Sequence, residues 1–268
     1  MSDQSGKPTR SKDSVANTVI VAVTLSLVAS ILVASTAIVL KPVQERNEEQ
    51  YRQQIILDVA GLWEAGGDVS ELFNNIEPRL IDLETGAYSD EFDAAQFDAE
   101  AAARDSALGL QIPPALDQAN ILRRAKYAPV YLVRSGDTLE QVILPVYGKG
   151  LWSTMRGFLA LDPDGTTVRG LRFYEHAETP GLGDQIDKPE WRALWTGKRV
   201  FGADDTPRIE VIRGLADPAS ADAIHQIDGI SGATLTGRGV TNLVRYWTGP
   251  HGFGPYLSRL RSEAEGDD

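Results

Sequence analysis

The stretch "DGISGATLTGRG", Asp228 to Gly239, sets hydroxyl side chains at Ser231, Thr234 and Thr236 among glycines, with a carboxylate, Asp228, upstream. It contains no cysteine, histidine or lysine. It therefore suits neither a thiol nucleophile nor a metal site nor a phosphate-gripping P-loop. What it does suit is an anion. "GRGVTNLVRYWTG" overlaps its end and places Val240, Leu243, Val244 and Trp247 at i, i+3, i+4 and i+7, the spacing of a helix with one apolar face. The free N–H groups and partial positive charge at a helix start favour a phosphate. Small residues such as Gly232 and Ala233 let a ligand approach the backbone closely. A hydroxyl at that point can hydrogen-bond a phosphate or become its ester. Thr236 or Thr234 can equally be the N-cap of an ordinary Gly-rich turn. On spacing alone both readings stay open.

The elements that must position this stretch begin near Ala125. "APVYLVR" and "TLEQVILPVYG" are β-rich runs around Ser135-Gly136-Asp137, a hairpin signal. "GFLALD" and "TTVRGLRFYE" flank Pro163-Asp164-Gly165, a second one. "PEWRALWTGKRV" reads as a short amphipathic helix ending at Gly197, and "PRIEVIRG" as a strand. Hairpins with scattered helices predict an α+β fold with a mainly antiparallel sheet, not the βαβ alternation of a dinucleotide fold. Upstream, residues 43–63 read as a polar helix turning apolar near Ile55, and "DVSELFNNIEPRLIDLETG" as a capped helix followed by a strand. Residues 87–107, rich in alanine and acids, read as a solvated helix or loose insertion without a site.

One segment leaves water. Ser14 to Leu40 is 27 residues without a charge. As a helix it would be ~40 Å long, against a bilayer core of ~30 Å. Its apolar run is too long for a cleaved signal peptide, and no clear A-x-A site follows. The reading is a retained single-pass anchor, held by membrane lipid. Lys7, Arg10 and Lys12 precede it, a modest basic bias that favours a cytoplasmic N-terminus and an outward, periplasmic main domain in a cell inner membrane. The expected organisation is a leader at 1–13, a transmembrane helix at 14–40, a helical and acidic connecting region at 41–124 packed on the body, and the main domain at 125–268.

The chain carries a formal net charge of −12, and with +1 on residues 1–13 the remainder carries −13. No nucleic-acid partner is expected of so acidic a body. With no cysteine there is no disulfide and no iron–sulfur cluster on the chain's own thiolates. His176, His225 and His251 are far apart in sequence, so no metal site is expected.

Asp-x-x-Ser-Gly-Ala-Thr, present as Asp228, Ser231, Gly232, Ala233 and Thr234, resembles the signature of the FMN-binding domain family. In that family a flavin transferase takes the FMN moiety from FAD and joins it through its phosphate to the last threonine. The resemblance implies covalent FMN on Thr234, with Thr236 a second hydroxyl that is not the attachment point. "RRAKYAPVYLV" and "VYGKGLWSTMRGFLALDPDGTTVRGLRFYEHAETPGLGDQI", with the single N-terminal span, resemble the C-subunit family of Na+-translocating NADH:quinone reductases. That likeness covers most of residues 120–265 and the anchor, and residues 87–120 match poorly. It implies further flavin-site residues. Leu182 and Trp152, with Leu151 of "GLW", would wall the ring. Gly181 and Gly183 would let backbone turn close to it. Glu178 and Thr179 would hydrogen-bond ring or ribityl groups. His176 is read without a proton-transfer role, because an electron carrier needs no general base.

The functional reading is an electron-relay subunit, not catalytic alone. Its partners would be the other subunits of the sodium pump, with NADH as ultimate donor, ubiquinone as acceptor and Na+ export as the coupled work. Two alternatives remain. The G subunit of the Rnf-type ferredoxin:NAD+ oxidoreductase has the same domain and anchor. A non-enzymatic, membrane-anchored binding module would carry no flavin at all.

Overall fold

The computed structural model describes residues 14–266, and the expected leader lies outside them. The chain divides into two compact units, one ending at Glu49 and the other running from Gln50. In the first, helix α1 (Val15–Val59) begins, and along Ser14 to Leu40 its large apolar side chains are exposed on every side. By length and composition α1 can cross a membrane. The helix continues through Pro42 into the stretch read as a separate polar helix. Proline removes one ladder bond, and α1 runs on through it.

The second unit is built on one sheet. Helix α2 (Val69–Phe73) starts at Asp68, whose side chain accepts the Ser70 and Glu71 N–H groups at 2.8 and 3.2 Å. Strand β1 (Ile76–Asp82) follows, as the sequence suggests, and pairs with the short β2 (Tyr88–Ser89). Helix α3 (Ala99–Arg104) is capped by Asp98, and β3 (Gly109–Gln111) pairs with β4 (Arg123–Ala125). The two expected hairpins are present as β5 (Tyr127–Ser135) with β6 (Thr138–Lys149), and β7 (Thr154–Leu161) with β8 (Val168–Glu175). The six-stranded sheet runs β2-β1-β5-β6-β7-β8, every neighbour antiparallel. Its β1 comes from the region expected to connect, so residues 41–124 supply sheet and core as well as linkage.

The alternation of a pleated strand fills both faces. Val130, Leu132, Val142, Leu144, Leu159 and Leu161 face one cluster; Tyr131, Val133, Ile143, Phe158 and Ala160 face the other, with Ile55, Ile56 and Leu57 of α1. Of the two readings of residues 87–107, a helix is present as α3, with Ala102 and Ala103 buried, and the loose insertion is not. Arg156 of β7 grips Glu100 of α3 through Nε and Nη2 at 2.6 and 2.8 Å, and the rings of Phe92 and Phe97 pack on Tyr127 of β5.

Beyond the sheet lie α4 (Pro189–Ala193), β9 (Glu210–Val211), β10 (Gln226–Ile227), α5 (Thr234–Thr248) and α6 (Gly254–Gly266). Helix α4 is shorter than its pattern suggests, and only two residues of "PRIEVIRG" are strand, paired in parallel with β10. Helix α5 buries Val240, Leu243, Val244 and Trp247, the expected stripe. It starts three residues earlier than the run from Gly237 suggests. Two glycines bring it against the sheet: a Cβ on Gly239 would stand 2.8 Å from the Lys149 carbonyl, and one on Gly148 2.7 Å from the Leu243 Cβ. A mid-helix glycine costs about 1 kcal/mol in propensity, and here it permits that contact.

Candidate functional site at the start of α5

The first turn of α5 separates its two threonines. Thr234 is the first helical residue and is exposed. Thr236 is 1% exposed, and its hydroxyl donates to Glu178 Oε2 at 2.5 Å. Neither is the N-cap. Ala233 holds that position and makes no side-chain cap bond, which corrects the capping reading. Gly232, just before it, has φ +75°, a conformation glycine adopts without steric cost. A Cβ there would meet Leu182 Cδ2 at 2.9 Å, so Leu182 lies directly on this turn. Ser231 is exposed beside it.

Three segments far apart in sequence meet here. Backbone N–H groups of Leu151 and Trp152 donate to Glu178 Oε1 at 3.0 and 3.2 Å. The Trp152 indole N–H donates to Thr179 Oγ1 at 2.9 Å. Gly183 is buried against Thr236 and Glu178, while Gly181, at φ +77°, is exposed. Glu178 thus differs from the expected ring or ribityl contact: it is 4% exposed and both its oxygens are taken by protein donors. Leu151, Trp152, Leu182 and Leu235, carried by the three segments that meet here, remain exposed, apolar side chains of the kind a flat ring would cover.

Asp228 does not join this group. Its carboxyl accepts the Ala216 N–H at 2.8 Å and its carbonyl accepts the Trp191 indole N–H at 3.1 Å. It thereby fixes the turn after β9, which forms the far wall of an open groove of about 1020 Å³. Thr234, Gly237, Arg238 and Thr241, one face of α5, form the near wall, and Arg213 lies on the far one. Sequence reasoning missed Arg213, Arg238 and Leu235. Two arginines near the motif in an acidic body were the available signal.

His176 sits behind the loop. Its Nε2 lies 2.7 Å from Asp187 Oδ2, and its Nδ1 accepts the Glu178 N–H at 3.2 Å. The hydrogen bond to Asp187 raises its pKa above the usual 6.5, and partial burial opposes that. The Glu178 N–H also opposes it, but the shorter bond to a carboxylate is the stronger. On α5, burial pushes the Tyr246 hydroxyl up to about 12. Among the described residues no cluster of His, Asp or Glu could hold a metal ion.

FMN fits these residues. An exposed hydroxyl stands where a helix start favours phosphate, apolar side chains are exposed on the segments that meet there, and the space next to Gly181 is open.

Residues 150–249 match the family described as the FMN-binding domain. The chain is 46% identical over 254 residues to the C subunit of the Na(+)-translocating NADH-quinone reductase of Pseudomonas aeruginosa, covering 93% of this chain and 97% of that one. It is 47% identical over 256 residues to the C subunit from Haemophilus ducreyi, covering 94% and 97%. The crystal structure of NqrC from Shewanella oneidensis superposes with a TM-score of 0.74 at 33% identity, over 81% of this chain and 99% of that one. The corresponding C subunit from Parabacteroides distasonis gives 0.62 at 26% identity, over 82% and 97%.

Proposed function

The chain belongs to the C-subunit family of Na(+)-translocating NADH-quinone reductases and contains the FMN-binding domain, and from that premise we propose that its relay flavin is FMN esterified through phosphate to Thr234. The observation that carries this reading is the sorting of the two threonines: Thr234 is open to an incoming group, and the Thr236 hydroxyl is buried and bonded.

The residues then have separate tasks. Thr234 Oγ would take the flavin-side phosphoryl group of FAD as the pyrophosphate bond breaks, with AMP leaving and the hydroxyl proton passing to the transferase or to water. The first turn of α5, with Arg238 and Arg213 of the same groove, would hold the resulting phosphodiester, which would carry about one negative charge. Trp152, Leu182, Leu151 and Leu235 would shield the ring from water. FMN when bound supplies the electron-carrying chemistry, which no side chain of this cysteine-free chain offers. A covalent tether also removes dissociation from the problem, so affinity does not limit the relay.

The chain works between partners, because it has neither iron–sulfur ligands nor a nicotinamide fingerprint. Electrons arrive from and leave to other subunits on the way from NADH to ubiquinone, and Na+ export is the work of the assembly. A flavin transferase matures the chain, and α1 holds it in the inner membrane.

The test is the mass of tryptic peptide Gly214 to Arg238 from chain co-expressed with a flavin transferase. The FMN adduct is expected on Thr234, lost in Thr234→Ala and kept in Thr236→Ser. An adduct on Thr236, or a colourless wild-type chain of unaltered mass, overturns the reading. The colourless result leaves the binding module in its place.

A further inference from the structure

Resting on the assignment of FMN to Thr234, we propose that Glu178 is a positioning residue of the flavin site: it touches no flavin atom, and seats Trp152 beside the ring by tying the loop at 150–152 to the first turn of α5. Its carboxyl group has three donors, the Leu151 and Trp152 N–H groups on Oε1 and the Thr236 hydroxyl on Oε2. The enclosure is tight. A Cβ on Gly150 would come within 2.5 Å of Oε1, and one on Gly183 within 3.0 Å of Oε2. No ligand atom can come between the carboxyl group and these partners. Among the described residues Glu178 forms no ion pair, and the three hydrogen bonds satisfy the carboxyl group where it is buried, as a buried polar group requires.

Trp152 is the beneficiary. It is 64% exposed, and an exposed side chain ordinarily keeps its rotamer freedom. This one is held at both ends, its backbone N–H by Glu178 and its indole N–H by Thr179, the next residue along. The Glu178 backbone is itself fixed, because its N–H donates to His176 Nδ1. Two consecutive residues of the "ETPGLG" loop thus set where the indole stands relative to the start of α5. An exposed aromatic held still without burial is what a ring-stacking wall needs before its ring arrives.

The experiment uses the full chain matured with the transferase. It reads FMN on peptide Gly214 to Arg238 by mass, and then the fluorescence yield of the attached flavin, which a stacked indole quenches. Wild type is expected to be dim. Trp152→Phe and Glu178→Ala are expected to keep the adduct and brighten severalfold, and the double variant to brighten no further. Glu178→Gln keeps an acceptor for the two backbone N–H groups and is expected to stay near wild type. Thr236→Val removes only the α5 end of the tie. It is expected to fold and to brighten partway, which decides the matter if Glu178→Ala does not fold. Glu178→Ala or Thr236→Val as dim as wild type, beside a bright Trp152→Phe, overturns the proposal. Glu178→Gln as bright as Trp152→Phe overturns it too, because charge and not seating would then be the cause. A Trp152→Phe chain as dim as wild type removes the wall itself. If the wild-type chain bears no adduct on Thr234, the functional reading has failed instead.

Discussion

Along Ser14 to Leu40 the apolar side chains of α1 are exposed all round, while at the start of α5 only Leu151, Trp152, Leu182 and Leu235 are. The first surface comes from one unbroken stretch of sequence. The second is assembled from three, and polar Ser231 and Thr179 lie within the same segments. Apolar area left in water costs about 25 cal/mol per Å², so both surfaces imply a cover. Length and continuity suit the first to lipid. Small size, adjoining polar groups and a free hydroxyl suit the second to the single flat cofactor proposed above. An apolar surface is therefore informative through what surrounds it, more than through its hydrophobicity.

The comparison breaks most visibly at the anchor. Removing residues 1–40 is expected to move the protein wholly from the membrane to the soluble fraction, and the shortened chain should still take FMN. In the full chain, protease added to intact spheroplasts should digest the main domain. A truncated chain that stays in the membrane, or a protected domain, contradicts the assignment of lipid to the first surface and of the periplasm to the body.

A smaller effect sharpens the second surface. Chain without FMN should bind an apolar fluorescent dye at the α5 start, and chain with FMN should bind severalfold less. Trp152→Ala with Leu182→Ala should reduce dye binding in the FMN-free chain by a similar factor. Equal binding with and without FMN would mean that the ring rests elsewhere, for instance in the groove of Arg213 and Arg238.

The smallest effect comes from behind the loop. Because Asp187 raises the His176 pKa above 6.5, the native state holds that proton more tightly than the unfolded chain. This contribution is full below pH 6.5 and is lost as pH rises through the raised value. The unfolding temperature of the wild type should therefore fall relative to His176→Asn between mildly acidic and alkaline pH, by a few degrees at most. A difference that does not change with pH, or that grows as pH rises, removes the Asp187 pairing as its cause.

Much of the fold was legible because its signals are local. The hairpins at Gly136 and Gly165 show in a few turn residues between β-rich runs, and α5 shows in the spacing of Val240, Leu243, Val244 and Trp247. Residues 87–107 did not show their order, because the contacts that hold them come from far along the chain, from Arg156 to Glu100, from Arg123 to the Ala103 carbonyl and from the Tyr127 ring to Phe92 and Phe97. The membership of β1 in the sheet likewise depends on pairing with β5. Of the site, the motif marked Thr234, and the loops at 151–152 and 178–183 came by family likeness. The capping role proposed for the threonines failed, because α5 begins earlier than its apolar stripe.

By itself the sequence determined the long apolar helix, the hairpins and the helix that presents Thr234, since each depends on neighbours within a turn or two of chain. Only the tertiary structure decided which threonine is free and that Glu178 faces inward. Those outcomes rest on hydrogen bonds across 58, 27 and 26 positions. A carboxyl group's burial depends on which donors the fold brings to it, and no local pattern records that.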